Sequence, residues 1–85
     1  MVIYKYDLRP GYVEAPIKKI LDVQYQDGVP VMWAIVKPDS RKIRIDVAFV
    51  VTGQEIDQEI LREYDYMKTL QDGWYVTHVF IKEGD

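Results

Sequence analysis

Residues 20–36 read Ile20-Leu-Asp-Val-Gln-Tyr-Gln-Asp-Gly-Val-Pro-Val-Met-Trp-Ala-Ile-Val36, with an apolar run on each side of an Asp-Gly pair. Asp and Gly both tolerate positive φ, and such a pair between β-forming runs is a strong hairpin signal. The first arm alternates, which predicts Leu21, Val23 and Tyr25 on one face. The second arm is apolar on both faces, as in a strand between packed layers, and it predicts Trp33 in the core.

The same period-two alternation recurs along the rest of the chain. Strands are predicted over residues 2–8, 43–52, 64–71 and 74–82, with a short edge strand over 12–15. Residues 54–63 carry apolar side chains at helical spacing and are either one or two helical turns or an ordered polar loop. The patterns predict a single all-β domain over residues 1–85, or a mainly β domain with one short helix. Its expected architecture is a compact antiparallel barrel or a two-sheet sandwich of six to seven strands.

Composition narrows the classes of function. The chain has 85 residues, no cysteine and a formal net charge of -3. Disulfides and thiolate metal sites are therefore excluded, and the acidic balance argues against general nucleic-acid binding. The first residues lack the apolar segment of a signal peptide, and no apolar run reaches the roughly 20 residues of a membrane span. We expect a cytoplasmic protein that needs no cofactor.

Catalytic motifs are absent from the sequence. Nucleophilic catalysis needs a hydroxyl or thiol beside an oriented base, but Ser40 and His78, the only serine and the only histidine, lie in separate parts of the chain. No glycine-rich phosphate-binding motif is present. The sequence therefore predicts a protein that is not an enzyme. His78, within the last predicted strand, is either a packed, hydrogen-bonded side chain or a ligand contact.

Two charged clusters and one turn are candidate binding residues. The basic cluster, which includes Arg41, Lys42 and Arg44, lies between two strands. It either keeps a loop soluble or contacts an anion or nucleotide through its guanidinium groups. The turn at 52–54 could hold an anion on its backbone amides. The acidic cluster that follows is either a solvated face or a dock for a basic partner. The candidate residues are Arg41, Lys42, Arg44, Thr52, Gly53, Gln54, Glu55, Asp57, Glu59 and His78.

The chain resembles a family of small proteins of unknown function found mainly in bacteriophage genomes. The resemblance rests on Ile3-Tyr-Lys-Tyr6, on Gly28-Val-Pro30 with Trp33-Ala34, and on His78-Val-Phe80 near the end. It implies one small β domain with an accessory role in infection, and it carries over no catalytic residue. The family usually reads Gly-Thr-Gly-His-Pro where this chain has Val51-Thr-Gly-Gln-Glu55.

This resemblance suggests a non-catalytic phage protein in the cytoplasm of an infected bacterium. The leading hypothesis is inhibition of a host anti-phage defence system by docking on a host protein. The alternatives are an oligomer that sequesters a small anionic or nucleotide ligand, and a minor virion or assembly component. The apolar composition also predicts a homodimer or a higher homo-oligomer, with residues 2–8 and 64–71 as candidate edge strands.

Overall fold

The computed structural model describes residues 1–84, which form seven antiparallel strands and one short helix. Their bounds are β1 Val2–Asp7, β2 Tyr12–Ala15, β3 Ile17–Gln26, β4 Val29–Val36, β5 Ile43–Val51, α1 Gln58–Glu63, β6 Asp65–Asp72 and β7 Tyr75–Gly84. Sheet A has the strand order β1-β4-β3, and sheet B has the order β2-β5-β7-β6. The mainly β fold class, with two sheets and one short helix, is confirmed.

The shortest of the three connections between the two sheets is a bend in the chain at Pro16. Only Pro16 separates β2 from β3, yet β2 pairs with β5 in sheet B while β3 pairs with β4 in sheet A. Proline has no N–H to donate, so the ladder is interrupted at the bend. Farther along, β3 also lies against β6. The inner faces of the sheets enclose one hydrophobic core.

Both Asp-Gly sequences lie at hairpins, but the two turns use different residues. Asp27 and Gly28 have φ of 52° and 79° and form the two-residue loop of a type I′ turn, as predicted. In the second hairpin Asp72 pairs with Tyr75, so the loop is Gly73-Trp74. Gly73 has a φ of 63°, and Trp74 is not among the positive-φ residues. A glycine at the first loop position is typical of a type II′ turn.

The core contains fully buried side chains from both sheets, among them Leu8, Val23, Met32, Ala34, Val36, Ile45 and Val79. Two predictions about the first hairpin are wrong. A bulge between Ile20 and Asp22 turns Leu21 outward, where 41% of it is exposed. Trp33 lies opposite Lys5 on the outer face of sheet A, half-buried and outside the core, because its neighbours Met32 and Ala34 face inward.

Residues 52–64 cross the outer face of sheet B. Because β5 and β6 both run antiparallel to β7, the chain must return along the sheet between them. At one end of this crossover Thr52 contacts His78, and at the other Glu63 contacts Lys82. Val50, directly opposite His78, is buried on this face. The segment that the sequence left open between helix and loop is a turn followed by α1.

Candidate functional site

The most exposed large hydrophobic side chain of the described residues lies at the tip of the β6–β7 hairpin. Trp74 is 98% exposed, and its neighbour Tyr75 is 59% exposed. Large aromatic rings normally bury their area in a core or an interface. An indole left in water therefore marks a contact surface more strongly than a scattered exposed aliphatic side chain does.

The hairpin holds the indole on a short and ordered support. The loop has two residues, and the flanking Asp72 and Tyr75 are paired across the ladder. The Gln71 side-chain amide donates to the carbonyl of Gly73 at 3.2 Å, inside the turn. A short, braced turn costs little conformational entropy when a partner binds it. We call Trp74 and Tyr75, with the turn between β6 and β7, the hairpin tip.

Apart from the hairpin tip, a polar cluster surrounds His78 on the outer face of sheet B. Its Nε2 lies 2.8 Å from the Thr52 hydroxyl, and its Nδ1 lies 2.9 Å from the hydroxyl of Thr69. The Tyr66 hydroxyl extends the chain to Thr69 at 2.7 Å. A hydroxyl can donate or accept, so the cluster satisfies either tautomer of the imidazole. His78 is half-buried and fully hydrogen-bonded, as the first of its two sequence interpretations expected.

The His78 cluster also joins two elements that are far apart in sequence. Thr52 begins the crossover, whereas Thr69 lies on β6. Phe80 packs its ring edge-on against Tyr66, with 5.8 Å between the ring centroids. The group that orients the imidazole is a hydroxyl and not the carboxylate found in Ser-His-Asp sites. This arrangement fastens the crossover to the sheet, and it resembles a structural contact more than a nucleophilic site.

Of the basic cluster, Arg44 is held within the sheet. Its Nε lies 2.9 Å from Asp46 Oδ1, and its guanidinium carbon lies 4.2 Å from the centre of the Tyr12 ring. The hydrogen bond to Asp46 raises the pKa of Arg44. Arg41 and Lys42 are exposed in the turn before β5. The turn at 52–54 lies at the other end of β5, so the structure does not bring these two candidate groups together.

In the turn at 52–54, Gln54 has a local role. Its side-chain oxygen accepts from the backbone amide of Val51 at 3.0 Å, and its backbone amide donates to the Val51 carbonyl. Gly53 lies between them on the exposed surface. These hydrogen bonds close the turn where β5 ends. The Gln54 side-chain oxygen and backbone amide are therefore already hydrogen-bonded within the chain.

The acidic segment is divided between helix capping, ion pairing and exposed surface. Asp57 is the N-cap of α1, where its carboxylate accepts from the Glu59 amide at 3.0 Å. Glu63 accepts from Lys82 at 3.1 Å, and this hydrogen bond raises the pKa of Lys82. Glu55 and Glu59 are exposed. The structure thus supports a local role for Asp57.

The hairpin tip was missed by reasoning from the sequence, which placed Trp74 in the last strand. The available signal was the position of Gly73, because a glycine at the first loop position moves the turn one residue later. Within residues 1–84, no three acidic or histidine side chains form a group suited to a metal ion. The same residues include no helix with the length and apolarity that crossing a bilayer requires.

The comparison with known proteins gives a family. The chain belongs to the family defined by the domain of unknown function DUF7352, whose model matches residues 1–85. Neither a curated protein nor a solved structure matches the chain.

Proposed function

We propose that this protein is a non-catalytic binding protein that docks on another protein through the hairpin tip. The observation that carries the proposal is the nearly complete exposure of Trp74 on a braced two-residue turn. Tryptophan and tyrosine are the side chains most enriched among residues that dominate binding energy. Trp74 and Tyr75 are both exposed at this turn, and Trp74 is the more exposed of the two.

The charge of the chain supports a specific partner and not a general polyanion. The net charge is -3, and Arg44 is engaged by Asp46 and Tyr12. The exposed carboxylates of Glu55 and Glu59 would add electrostatic steering toward a basic protein surface. Sequestration of a nucleotide by the basic turn receives less support, because Arg44 already has a carboxylate partner.

The biological setting of the proposal comes from the resemblance to phage proteins. We infer that the docking partner is a protein of an infected bacterium and that binding inhibits it, in the cytoplasm. A component of a host defence system is the leading candidate. This inference rests on the type of genome in which the similar proteins occur, and not on the geometry of the hairpin.

The proposal is tested by placing a photoreactive amino acid at position 74 and irradiating the protein in host lysate. The matched control carries the same group at Leu61, which is 57% exposed on α1. We expect one dominant adduct from position 74 that the control does not form. The captured protein is then purified, and its affinity is measured for the unlabelled wild type, Trp74→Ala and Leu61→Ala.

Loss of a binding hot spot costs about 2 kcal/mol or more, which is about 30-fold in Kd. We expect that loss for Trp74→Ala and wild-type affinity for Leu61→Ala. If Trp74→Ala binds normally, the hairpin tip is not the docking surface. A variant with Arg41, Lys42 and Arg44 all changed to Gln should bind the partner normally. Loss of binding in that variant would show that the basic turn, and not the hairpin tip alone, contacts the protein partner.

A further inference from the structure

The four edge strands of the two sheets differ in how well they are protected against pairing with another chain. Natural edge strands are shortened, bulged, charged or covered. β2 has four residues. β3 carries bulges and lies against β6, and β6 itself has a register shift between Tyr66 and Lys68. β1 pairs with β4 over six consecutive residues without a shift.

The charged side chains of β1 point away from its free edge. Lys5 hydrogen-bonds Gln26 of β3, so its side chain reaches back across β4. Asp7 forms an ion pair with Arg9 beyond the end of the strand, at 2.6 Å. The remaining side chains in the first half of β1 are apolar or aromatic, and Val2, Ile3 and Tyr4 are exposed.

The phase of the β1–β4 ladder identifies the unpaired backbone groups. The Leu8 amide donates to the Pro30 carbonyl at 2.9 Å, in register with the ladder. Hydrogen-bonded pairs alternate with non-hydrogen-bonded pairs in an antiparallel ladder. Tyr6, Tyr4 and Val2 therefore also bond β4. The amides and carbonyls of Ile3, Lys5 and Asp7 point to the free edge.

We propose that β1 pairs with β1 of a second copy of this chain, antiparallel and about a two-fold axis at Tyr4. A two-fold antiparallel pair is self-complementary in its backbone groups. An axis at Lys5 or at Asp7 would oppose like charges, which destabilises a sheet. An axis at Tyr4 pairs all residues from Val2 to Tyr6, places Ile3 opposite Lys5 and merges the two copies of sheet A into one sheet of six strands.

This interface is separate from the proposed docking function. β1 lies at the edge of sheet A away from β3, and it is β3 that lies against β6. The dimer therefore leaves both hairpin tips exposed. Failure of one proposal has no bearing on the other, because dimer mass and partner affinity are measured independently.

The first test measures mass by sedimentation equilibrium for the wild type, Lys5→Ala and Lys5→Pro. Both variants lose the contact with Gln26, but only proline removes the edge amide and blocks the partner strand. We expect two chains per particle for the wild type and Lys5→Ala at about 100 μM, a concentration well above a micromolar Kd. Lys5→Pro should be monomeric with an unchanged circular dichroism spectrum. A monomeric wild type, or a folded and dimeric Lys5→Pro, overturns the proposal.

The second test decides the matter should Lys5→Pro fail to fold. The chain has no cysteine, so single cysteines report contacts between copies. At the axis, the two copies of position 4 form a non-hydrogen-bonded pair about 4.5 Å apart between Cα atoms, within disulfide range. Tyr4→Cys should oxidise to a covalent dimer. Val2→Cys should not, because its two copies are separated by about 13 Å along the strands. Equal crosslinking of both variants, or none, rejects the register and the interface.

Discussion

Lys68 of β6 reaches Asp22 of β3 across the two sheets, with 2.6 Å between Nζ and Oδ1. The hydrogen bonds from Lys68 and Gln24 lower the pKa of Asp22 below its ordinary value of 3.8. Beside this pair, the Tyr25 hydroxyl donates to Thr77 at 3.3 Å. The first contact joins β3 to β6 and the second joins β3 to β7, where the sheets meet without a shared backbone ladder.

The Asp22–Lys68 pair gives the fold a component of stability that depends on pH. The folded pKa lies below the unfolded one, so this stabilisation is present above about pH 4 and is lost as pH falls through the folded pKa. The side chains are 41% and 32% exposed, so solvent screening limits the pair to about 1 kcal/mol or less. In urea titrations, Asp22→Asn should be less stable than the wild type at pH 7 and equally stable near pH 2.

A double-mutant cycle with Lys68→Met separates the pair from the effects of each substitution alone. A coupling free energy that is favourable at pH 7 and near zero at low pH is expected. A coupling free energy of the same size at both pH values would show that the contact stabilises the fold through packing and not through charge.

Leu8 and Leu61 form a matched pair for testing where the core lies. Leu8 is fully buried, whereas Leu61 is 57% exposed. Leu8→Ala should cost about 2–5 kcal/mol, because it removes buried methyl groups and leaves a cavity. Leu61→Ala should change the free energy of unfolding by less than about 0.5 kcal/mol. Chemical denaturation measures both, and similar losses would contradict the assigned core.

Trp33 should contribute less to stability than its size indicates. It is half-buried on the outer face of sheet A, beside Lys5 and Asp22 in the ladder. If it were a core residue, Trp33→Ala would cost about 3–5 kcal/mol. We expect a smaller loss than that of Leu8→Ala in the same denaturation series. A larger loss would place the indole inside the core.

The two tryptophans should differ in fluorescence. Trp74 is 98% exposed, and Trp33 is half-buried. In Trp33→Phe, the remaining indole should emit at a long wavelength and be quenched efficiently by acrylamide. In Trp74→Phe, emission should be shifted to the blue, with weaker quenching. Binding of a partner at the hairpin tip should shift the emission of Trp33→Phe only, and identical spectra for the free variants would refute the assigned exposures.

The turn at Gly28 should be sensitive to the addition of a single methyl group. Gly28 has a φ of 79°, and the space that an added Cβ would occupy is open, so the cost of Gly28→Ala is conformational and not steric. Left-handed backbone costs an L-residue roughly 1–2 kcal/mol. We expect Gly28→Ala to lower the free energy of unfolding by that amount, and Gly28→Asn by less, because asparagine tolerates this region. Equal stability of the two variants would contradict the type I′ turn.

The fold class follows from local patterns. Asp27 and Gly28 form the turn that their tolerance of positive φ predicts, and period-two alternation identifies the strands that pair on either side. These signals depend on residues that are neighbours in the sequence, so they can be recognised without knowledge of the tertiary structure. The helix at 58–63 was only one of two alternatives, because three or four apolar positions suit either a helix or a loop.

Which side chains are exposed depends on packing between residues that are far apart in the sequence. A strand that is apolar on both faces does not specify which face meets the other sheet, so the prediction that Trp33 lies in the core is wrong. Leu21 turned outward because a bulge changed the alternation of β3. The contact of His78 with Thr52 depends on the return of the crossover over sheet B, and its contact with Thr69 depends on the pairing of β6 with β7. Composition and alternation determined a small β protein, whereas sheet pairing decided which of its aromatic and polar side chains remain in water.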